Sequence, residues 1–278
     1  MCQFKGARVF MTKPFKYFEG LILDWAGTLL DYGCLGPTNH FKDVFRNSGV
    51  HISEEEARSS VGSMKKEHLE NIFKIKRVRD EWLRIHGKAP NQHDIDFMYS
   101  QFSHSLIKSI TACSEPISGA KDFIEDMRAG GLKLGSTTGY PLDMLELLIN
   151  NAKKEGIELD AWACPDRVSG YDRPYPYMIF KNMQDLGLKD VRRIVKIGDT
   201  CADIEEAHNA GMIAIAKLNG SAELGFSKKA FEMADSWQKD EAYARAEAAF
   251  ENCGADFIVK DFTELTALLY QLDAELAK

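Results

Sequence analysis

No part of the 278-residue chain offers an uninterrupted apolar run near the roughly 20 residues that span a bilayer, which excludes an ordinary transmembrane helix. An excess of positive charge is missing too: 35 Lys and Arg against 42 Asp and Glu leave a net charge of −7. A nonspecific nucleic-acid or anionic-membrane binder needs a basic surface, so neither class fits. A small phosphoester or phosphonate is not excluded, because it responds to local cations rather than to net charge. The cysteines Cys2, Cys34, Cys113, Cys164, Cys201 and Cys253 include no close pair at metal-ligand or redox-motif spacing. A reduced, cytoplasmic setting is therefore expected. The opening MCQFKGARVFMTKPFK is basic but has neither a continuous apolar h-region nor a small-residue cleavage site, so a secretory signal is not expected. Residues 1–16 read as an N-terminal extension, with Met11 an alternative start. Internal repeats and low-complexity tracts are also lacking.

What is present is strand–helix alternation. Short apolar runs that suit buried parallel strands occur at Phe18–Leu23, Leu132–Thr137, Leu159–Ala163, Ile194–Ile197, Met212–Ala216 and Asp256–Val259. Between them lie helical stretches with readable ends: Ser118–Arg128 before Gly130-Gly131, a helix opened at Pro141 and closed by Gly156, Tyr175–Leu186 before Gly187, and Cys201–Asn209 near Gly211. Such alternation predicts an open parallel sheet with helices on both faces. Residues 35–113 break it. They hold no convincing strand and read as helices over Thr38–Asn47, Ser53–Ser60 (opened by a Ser53…Glu56 capping box), Lys65–Phe73, Arg77–His86 and Asn91–Ile110. The expected fold is α/β: a doubly wound, Rossmann-like parallel-sheet core (17–34 and 114–278) with an inserted all-helical cap domain (35–113). Linkers are expected near Tyr32–Pro37 and Cys113–Ile117. The stretch Ser221–Cys253 is nearly silent, with Leu218–Phe226 resembling a loop beside the site and the rest a surface helix.

In a doubly wound sheet, ligands bind beyond the carboxyl ends of the strands. The polar residues expected there are Asp24 in DWAGT, Thr137 and Thr138 in GSTTGY, Arg173 in DRPYP, and Asp199 and Asp203 in GDTCAD. Three carboxylates with hydroxyl and guanidinium donors suit phosphoryl transfer, with Mg²⁺ on oxygen ligands and cationic donors for the remaining oxygens. Each residue alone has a plainer reading. An aspartate after a strand, as at Asp24, is commonly a helix N-cap, and Arg173 before a proline can simply pair with a surface carboxylate.

In this order the four stretches resemble the signature motifs of the haloacid dehalogenase superfamily, from Phe18 onward. The resemblance implies Asp24 as a nucleophile that forms an aspartyl-phosphate, Asp199 and Asp203 at Mg²⁺, and Thr138 and Arg173 on the phosphoryl oxygens. One departure matters. The superfamily pattern places a second aspartate two residues after the nucleophile to protonate the leaving oxygen, and here that residue is Ala26. Losing a general acid typically costs about 10²–10⁴-fold in rate. Either the chain is a weak phosphatase or its leaving group is activated differently. Lys65, in VGSMKKEH, offers the second route: a lysine amine condenses with an aldehyde to an iminium, which is an electron sink. His68 lies three residues on, on the same helical face, as a proton relay or as a packing residue. Adjacent Lys66 is turned about 100° away, so only one lysine can face the site; the spacing favours Lys65.

With Ala26, DYGC, the G-x-x-K-x-x-H stretch, GSTTGY, RPYP and GDT together, the chain resembles the phosphonoacetaldehyde hydrolase family. The resemblance implies conversion of phosphonoacetaldehyde and water to acetaldehyde and phosphate, in the breakdown of aminoethylphosphonate, by a homodimer with Mg²⁺ as its cofactor. It places Mg²⁺ on Asp24, the Ala26 carbonyl and Asp199, puts Gly62 and Tyr140 in the lining of the closed site and Cys34 at the cap hinge, and includes Gly139 among the phosphoryl-binding residues. Phe41, Phe45 and Trp82 are candidate dimer contacts, although core packing explains them equally well. A buried iminium-forming lysine requires a lowered pKa, and the cap is expected to exclude water during bond cleavage. A generic capped phosphatase or phosphomutase, and a non-catalytic binding protein of the same fold, are the competing readings.

Overall fold

The computed structural model describes residues 13–109 and 114–278. Its sheet has five parallel strands: β1 (Gly20–Leu23), β2 (Lys133–Ser136), β3 (Ile194–Gly198), β4 (Ile213–Lys217) and β5 (Phe257–Val259), in the order β2-β1-β3-β4-β5. β1 lies between β2 and β3, with Gly20 registered against both Lys133 and Ile194. Side chains alternate across a strand, and here they feed two separate cores. Leu21, Leu23, Val195, Ile197 and Ile215 enter one, while Ile22, Ile194, Ala214 and Ala216 enter the other. The first core is shared with α6 (Ala120–Ala129), α7 (Leu142–Lys154) and α12 (Phe262–Leu276). The second is shared with α8 (Tyr177–Leu186), α9 (Cys201–Ala210) and α11 (Ser236–Asn252). Burial on both faces is why these strands read as apolar runs.

The expected strand at Leu159–Ala163 does not form as a regular strand. The segment follows β2, with Asp160 N–H donating to the Leu134 carbonyl and Ala163 N–H to that of Ser136. The Leu134 N–H, however, is taken by the Asp160 carboxylate at 2.8 Å. A side chain therefore replaces one rung of the ladder, leaving only an isolated bridge between Thr137 and Ala163.

The inserted helices are α1 (Leu35–Asn47), α2 (Glu54–Arg58), α3 (Lys65–Lys74), α4 (Lys76–His86) and α5 (Gln92–Ser109). Together with the parallel sheet they give a Rossmann-like α/β core carrying a helical cap. The capping box holds as expected, with Glu56 N–H donating to Ser53 Oγ and Ser53 N–H to the Glu56 carboxylate. Phe41 stacks on Phe102 at 4.2 Å between centroids, and Phe73 packs on Phe45 and Trp82. Phe41, Phe45 and Trp82 are thus buried inside the cap, which removes them as a dimer surface. The cap linker also ends earlier than expected. Asp31 and Cys34 adopt positive φ (52° and 51°), and the Asp31 carboxylate accepts the Gly36 N–H at 3.1 Å. Helix α1 therefore begins at Leu35, with Pro37 in the first turn, where it needs no intrahelical acceptor. The other linker's Cys113 and the end of the predicted helix at Ile110 lie outside the described residues.

The silent stretch contains α10 (Lys228–Met233) and α11. The end of α11 meets the start of α9, and there Cys201 is disulfide-bonded to Cys253. The spacing gave no pair and a reduced setting was expected, but the two cysteines, 52 positions apart in sequence, are brought together by the fold. Cys34 and Cys164 are free and buried. Among the described residues no helix is long and apolar enough to cross a membrane.

Candidate active site

The carboxyl end of β1 delivers Asp24, whose N–H continues the ladder to the Ile197 carbonyl at 3.0 Å. The end of β3 delivers Asp199, and the first turn of α9 delivers Asp203, where Thr200 caps the helix by accepting the Asp203 N–H. Asp24, Asp199 and Asp203 are all buried, and one carboxylate oxygen from each lies within 4.8 Å of the others. Asp199 is held by Thr28 Oγ1 (3.0 Å), the Ala222 N–H (3.3 Å) and the Cys34 thiol (3.5 Å). Burial, then the charges of Asp24 and Asp203, push its carboxyl well above the usual range. Such an anionic, all-oxygen cluster fits a hard divalent cation. The Ala222 contact places the Leu218–Phe226 loop beside the site, as its sequence suggested.

Arg173 organises the other side. Its Nη2 donates to Asp24 Oδ1 (2.8 Å) and to the Thr137 carbonyl and hydroxyl oxygens (both 2.9 Å), and pairs with Asp203 (3.0 Å). Its Nε donates to Glu206 Oε2 at 3.1 Å. Burial opposes the charge, but Asp203, Asp24 and Glu206 more than compensate and raise its pKa. A surface ion pair is ruled out by its 5% exposure. The neighbouring Thr138 is buried, with its hydroxyl accepting the Tyr140 N–H at 3.2 Å.

The cap closes over this floor at a joint of two glycines. Gly62 has φ +100°, and a Cβ there would sit 2.6 Å from Thr200 Oγ1. A Cβ on Gly139 would sit 2.7 Å from the Ser63 carbonyl oxygen. Lys65 follows in the first turn of α3, 7% exposed, with Nζ 5.0 Å from the Tyr140 ring centroid. Burial lowers its pKa from the ordinary 10.5, against the opposing pull of Cys34, Asp24 and Asp172. Lys66 points outward and pairs with Asp96 at 2.7 Å. His68 is fully buried against Phe41, with Nε2 2.9 Å from the Ala57 carbonyl oxygen and Nδ1 without a hydrogen-bond partner among the described residues. Burial, and then Lys65, lower its pKa to about 3. The ring is neutral near pH 7, so Nε2–H is the donor and Nδ1 is a bare acceptor. Ala26, partly buried, follows Asp24 and Trp25 with only a methyl group.

Three polar residues of this centre escaped the sequence reading. Lys196 is fully buried in β3, its Nζ 2.7 Å from Asp203 and 2.8 Å from Thr137 Oγ1. Glu206 accepts from Thr137 Oγ1 as well as from Arg173. A lysine interrupting the apolar strand IVKIG was the available signal, and Glu206 stands one turn after Asp203 on α9. The third, Asp172, has no sequence signal beyond its place beside Arg173.

A model of haloacid dehalogenase-like hydrolases matches residues 21–217, and with this fold and carboxylate cluster the chain belongs to that class of hydrolases. The phosphonoacetaldehyde hydrolase of Lysinibacillus sphaericus is 37% identical over 93% of this chain and 96% of its own length. A bifunctional phosphonoacetaldehyde hydrolase/aminoethylphosphonate transaminase of Clostridioides difficile is 35% identical over 94% of this chain and 41% of that protein. A crystal structure of a phosphonoacetaldehyde hydrolase-like protein from Oleispira antarctica superposes with a TM-score of 0.89 at 30% identity, covering 100% of this chain and 98% of the other. Within the class, the chain belongs to the phosphonoacetaldehyde hydrolase family.

The glycine joint leads to a direct expectation. Gly62→Ala combines an unfavourable φ with the clash at Thr200, a strain of about 1–3 kcal/mol. Steady-state kinetics should show kcat/KM falling roughly 10- to 100-fold, with the melting temperature little changed if the cap opens to relieve the clash. Wild-type kinetics in this variant would mean that the cap does not work in the closed position.

Proposed function

We propose that this chain hydrolyses the carbon–phosphorus bond of phosphonoacetaldehyde, releasing acetaldehyde and phosphate, through an imine on Lys65 and an aspartyl-phosphate on Asp24. The observation that carries the reading is a pair: a methyl group at Ala26, where a proton donor would serve an ester, and a buried amine of lowered pKa above it. The Lys65 amine adds to the aldehyde carbon, and loss of one water gives the iminium. Asp24 then attacks phosphorus. The carbon–phosphorus electron pair moves into the iminium and leaves an enamine, so no protonated leaving oxygen is required. Water cleaves the aspartyl-phosphate to phosphate, and a second water, after protonation of the enamine carbon, frees acetaldehyde and the amine. One water is consumed overall.

Arg173 orients Asp24 and, with Thr138 and Gly139, receives the phosphonate oxygens. We assign the proton relay of imine formation to His68, one turn from Lys65; burial and the Lys65 charge make its ring a weak base, so the role requires Nδ1 to gain basicity once the amine is neutral and substrate enters the pocket. Gly62 and Tyr140 line the closed pocket, and Cys34 sits at the hinge. Mg²⁺ held by Asp24, Asp199, Asp203 and the Ala26 carbonyl would neutralise phosphonate charge as phosphorus is attacked. A place in aminoethylphosphonate degradation is supported by the relative that joins this activity to an aminoethylphosphonate transaminase. We take the enzyme to act in the cytoplasm as a homodimer.

Incubation with phosphonoacetaldehyde and borohydride, followed by mass mapping, should find a secondary amine on Lys65 alone. Trapping needs the neutral amine, so its rate should rise with pH through the Lys65 pKa. Because that pKa is depressed, the midpoint should lie below 10.5. A midpoint at or above that value would contradict the buried-amine reading, and an adduct elsewhere would remove the lysine from the mechanism.

A further inference from the structure

Helix α3 begins without a cap of its own. Met64 occupies the N-cap position and offers no side-chain hydrogen bond, although the first N–H groups of a helix need acceptors. The acceptor comes from the core instead. The Met64 N–H donates to Oδ2 of Asp172, a residue 6% exposed in the loop before α8. The other oxygen, Oδ1, is buried with no hydrogen-bond partner among the described residues. A buried carboxylate oxygen left unpaired is costly, so its retention calls for a role. The next residue in the chain, Arg173, grips Asp24 at 2.8 Å. Two consecutive residues thus hold the two reacting groups, one gripping the carboxylate of the floor and the other the helix that carries the amine of the lid.

We propose that Asp172 is a positioning residue for the imine step: it caps α3 from the core side and so sets Lys65 in the site when the cap is closed. This rests on the imine reading above. An acceptor at a helix N-terminus favours the capped arrangement, and a negative charge there also suits the helix dipole. Without it, the N-cap N–H of α3 loses its acceptor and the amine is less often in place. Lys65 faces Asp24 beyond β1, Cys34 and Asp31 at the hinge, Asp172 and Arg173 before α8, and His68 on its own helix. Of these, Asp172 is the carboxylate that touches the backbone of α3. Burial raises its acid to about 6, so the charge is present at neutral pH.

The test compares Asp172→Ala and Asp172→Asn with the wild-type enzyme, using borohydride trapping by phosphonoacetaldehyde across pH and inhibition by inorganic phosphate. The alanine variant should trap Lys65 roughly 10- to 100-fold more slowly, while phosphate inhibition changes less than about twofold. The asparagine variant keeps an oxygen acceptor for the Met64 N–H and should recover most of the trapping rate. It lacks the charge that favours ammonium, so its trapping midpoint should move to lower pH, a change that a purely structural role would not produce. Wild-type trapping rate and midpoint in both variants, with Lys65 still labelled in the parent, would overturn the role of Asp172 alone. No adduct on Lys65 in the wild-type protein would sink the imine reading and this inference with it.

Discussion

Lys65→Arg should abolish carbon–phosphorus cleavage, lowering the release of acetaldehyde and phosphate on the order of 10⁴-fold or more, about 5 kcal/mol or more in barrier. Arginine keeps the charge and most of the length, and a guanidinium can still lie over the Tyr140 ring. It cannot yield a neutral amine, because its pKa stays above about 12. Without an iminium, the departing carbon must carry a full negative charge, and the methyl of Ala26 has no proton for it. The phosphonate floor is untouched by the change, so phosphate should still inhibit, and borohydride should label nothing. An undiminished rate of acetaldehyde release would refute both the imine and the substrate built on it.

Asp24→Asn should produce the opposite pattern. The amide is nearly isosteric and can still accept from Arg173, but it has no anionic oxygen to attack phosphorus. Loss of a covalent nucleophile typically removes about 10⁴–10⁶-fold of kcat. The lid should continue to work, so borohydride should still trap Lys65, now carrying the intact phosphonoethyl group. Phosphate release should stop. If the asparagine variant also failed to form the adduct while remaining folded, imine formation would depend on the floor carboxylate, and the division of labour between lid and floor would be wrong. Read together, the two variants separate the two covalent steps.

The capping box at Ser53 and the buried strands β1 and β3 were legible in the sequence, because each depends on neighbours in the chain. The strand predicted at Leu159–Ala163 failed for a tertiary reason: Asp160 reaches across to the Leu134 N–H and takes a position that backbone would otherwise fill. Phe41, Phe45 and Trp82 have the same apolar pattern whether they meet a partner subunit or one another. Only the packing of α1 against α3 and α5, and of α3 against α4, assigns them to the cap interior. Cys201 and Cys253 illustrate the limit of spacing rules, since the chain folds back to join two positions 52 apart in sequence.

By itself the sequence determined which chemical groups are available: Asp24 and not a second aspartate at Ala26, a lysine pair in the insert, and carboxylates at the strand ends, in an order that defines the fold class. These are properties of residue type and local period, which travel with the chain. Tertiary structure decided which of those groups meet and in what state. It buried Lys65 and left Lys66 in solvent, made His68 a neutral acceptor, placed Lys196 and Glu206 beneath Arg173, and brought Asp172 to the backbone of Met64. Charge state and proximity depend on burial and on partners far away in sequence, and no local pattern encodes either.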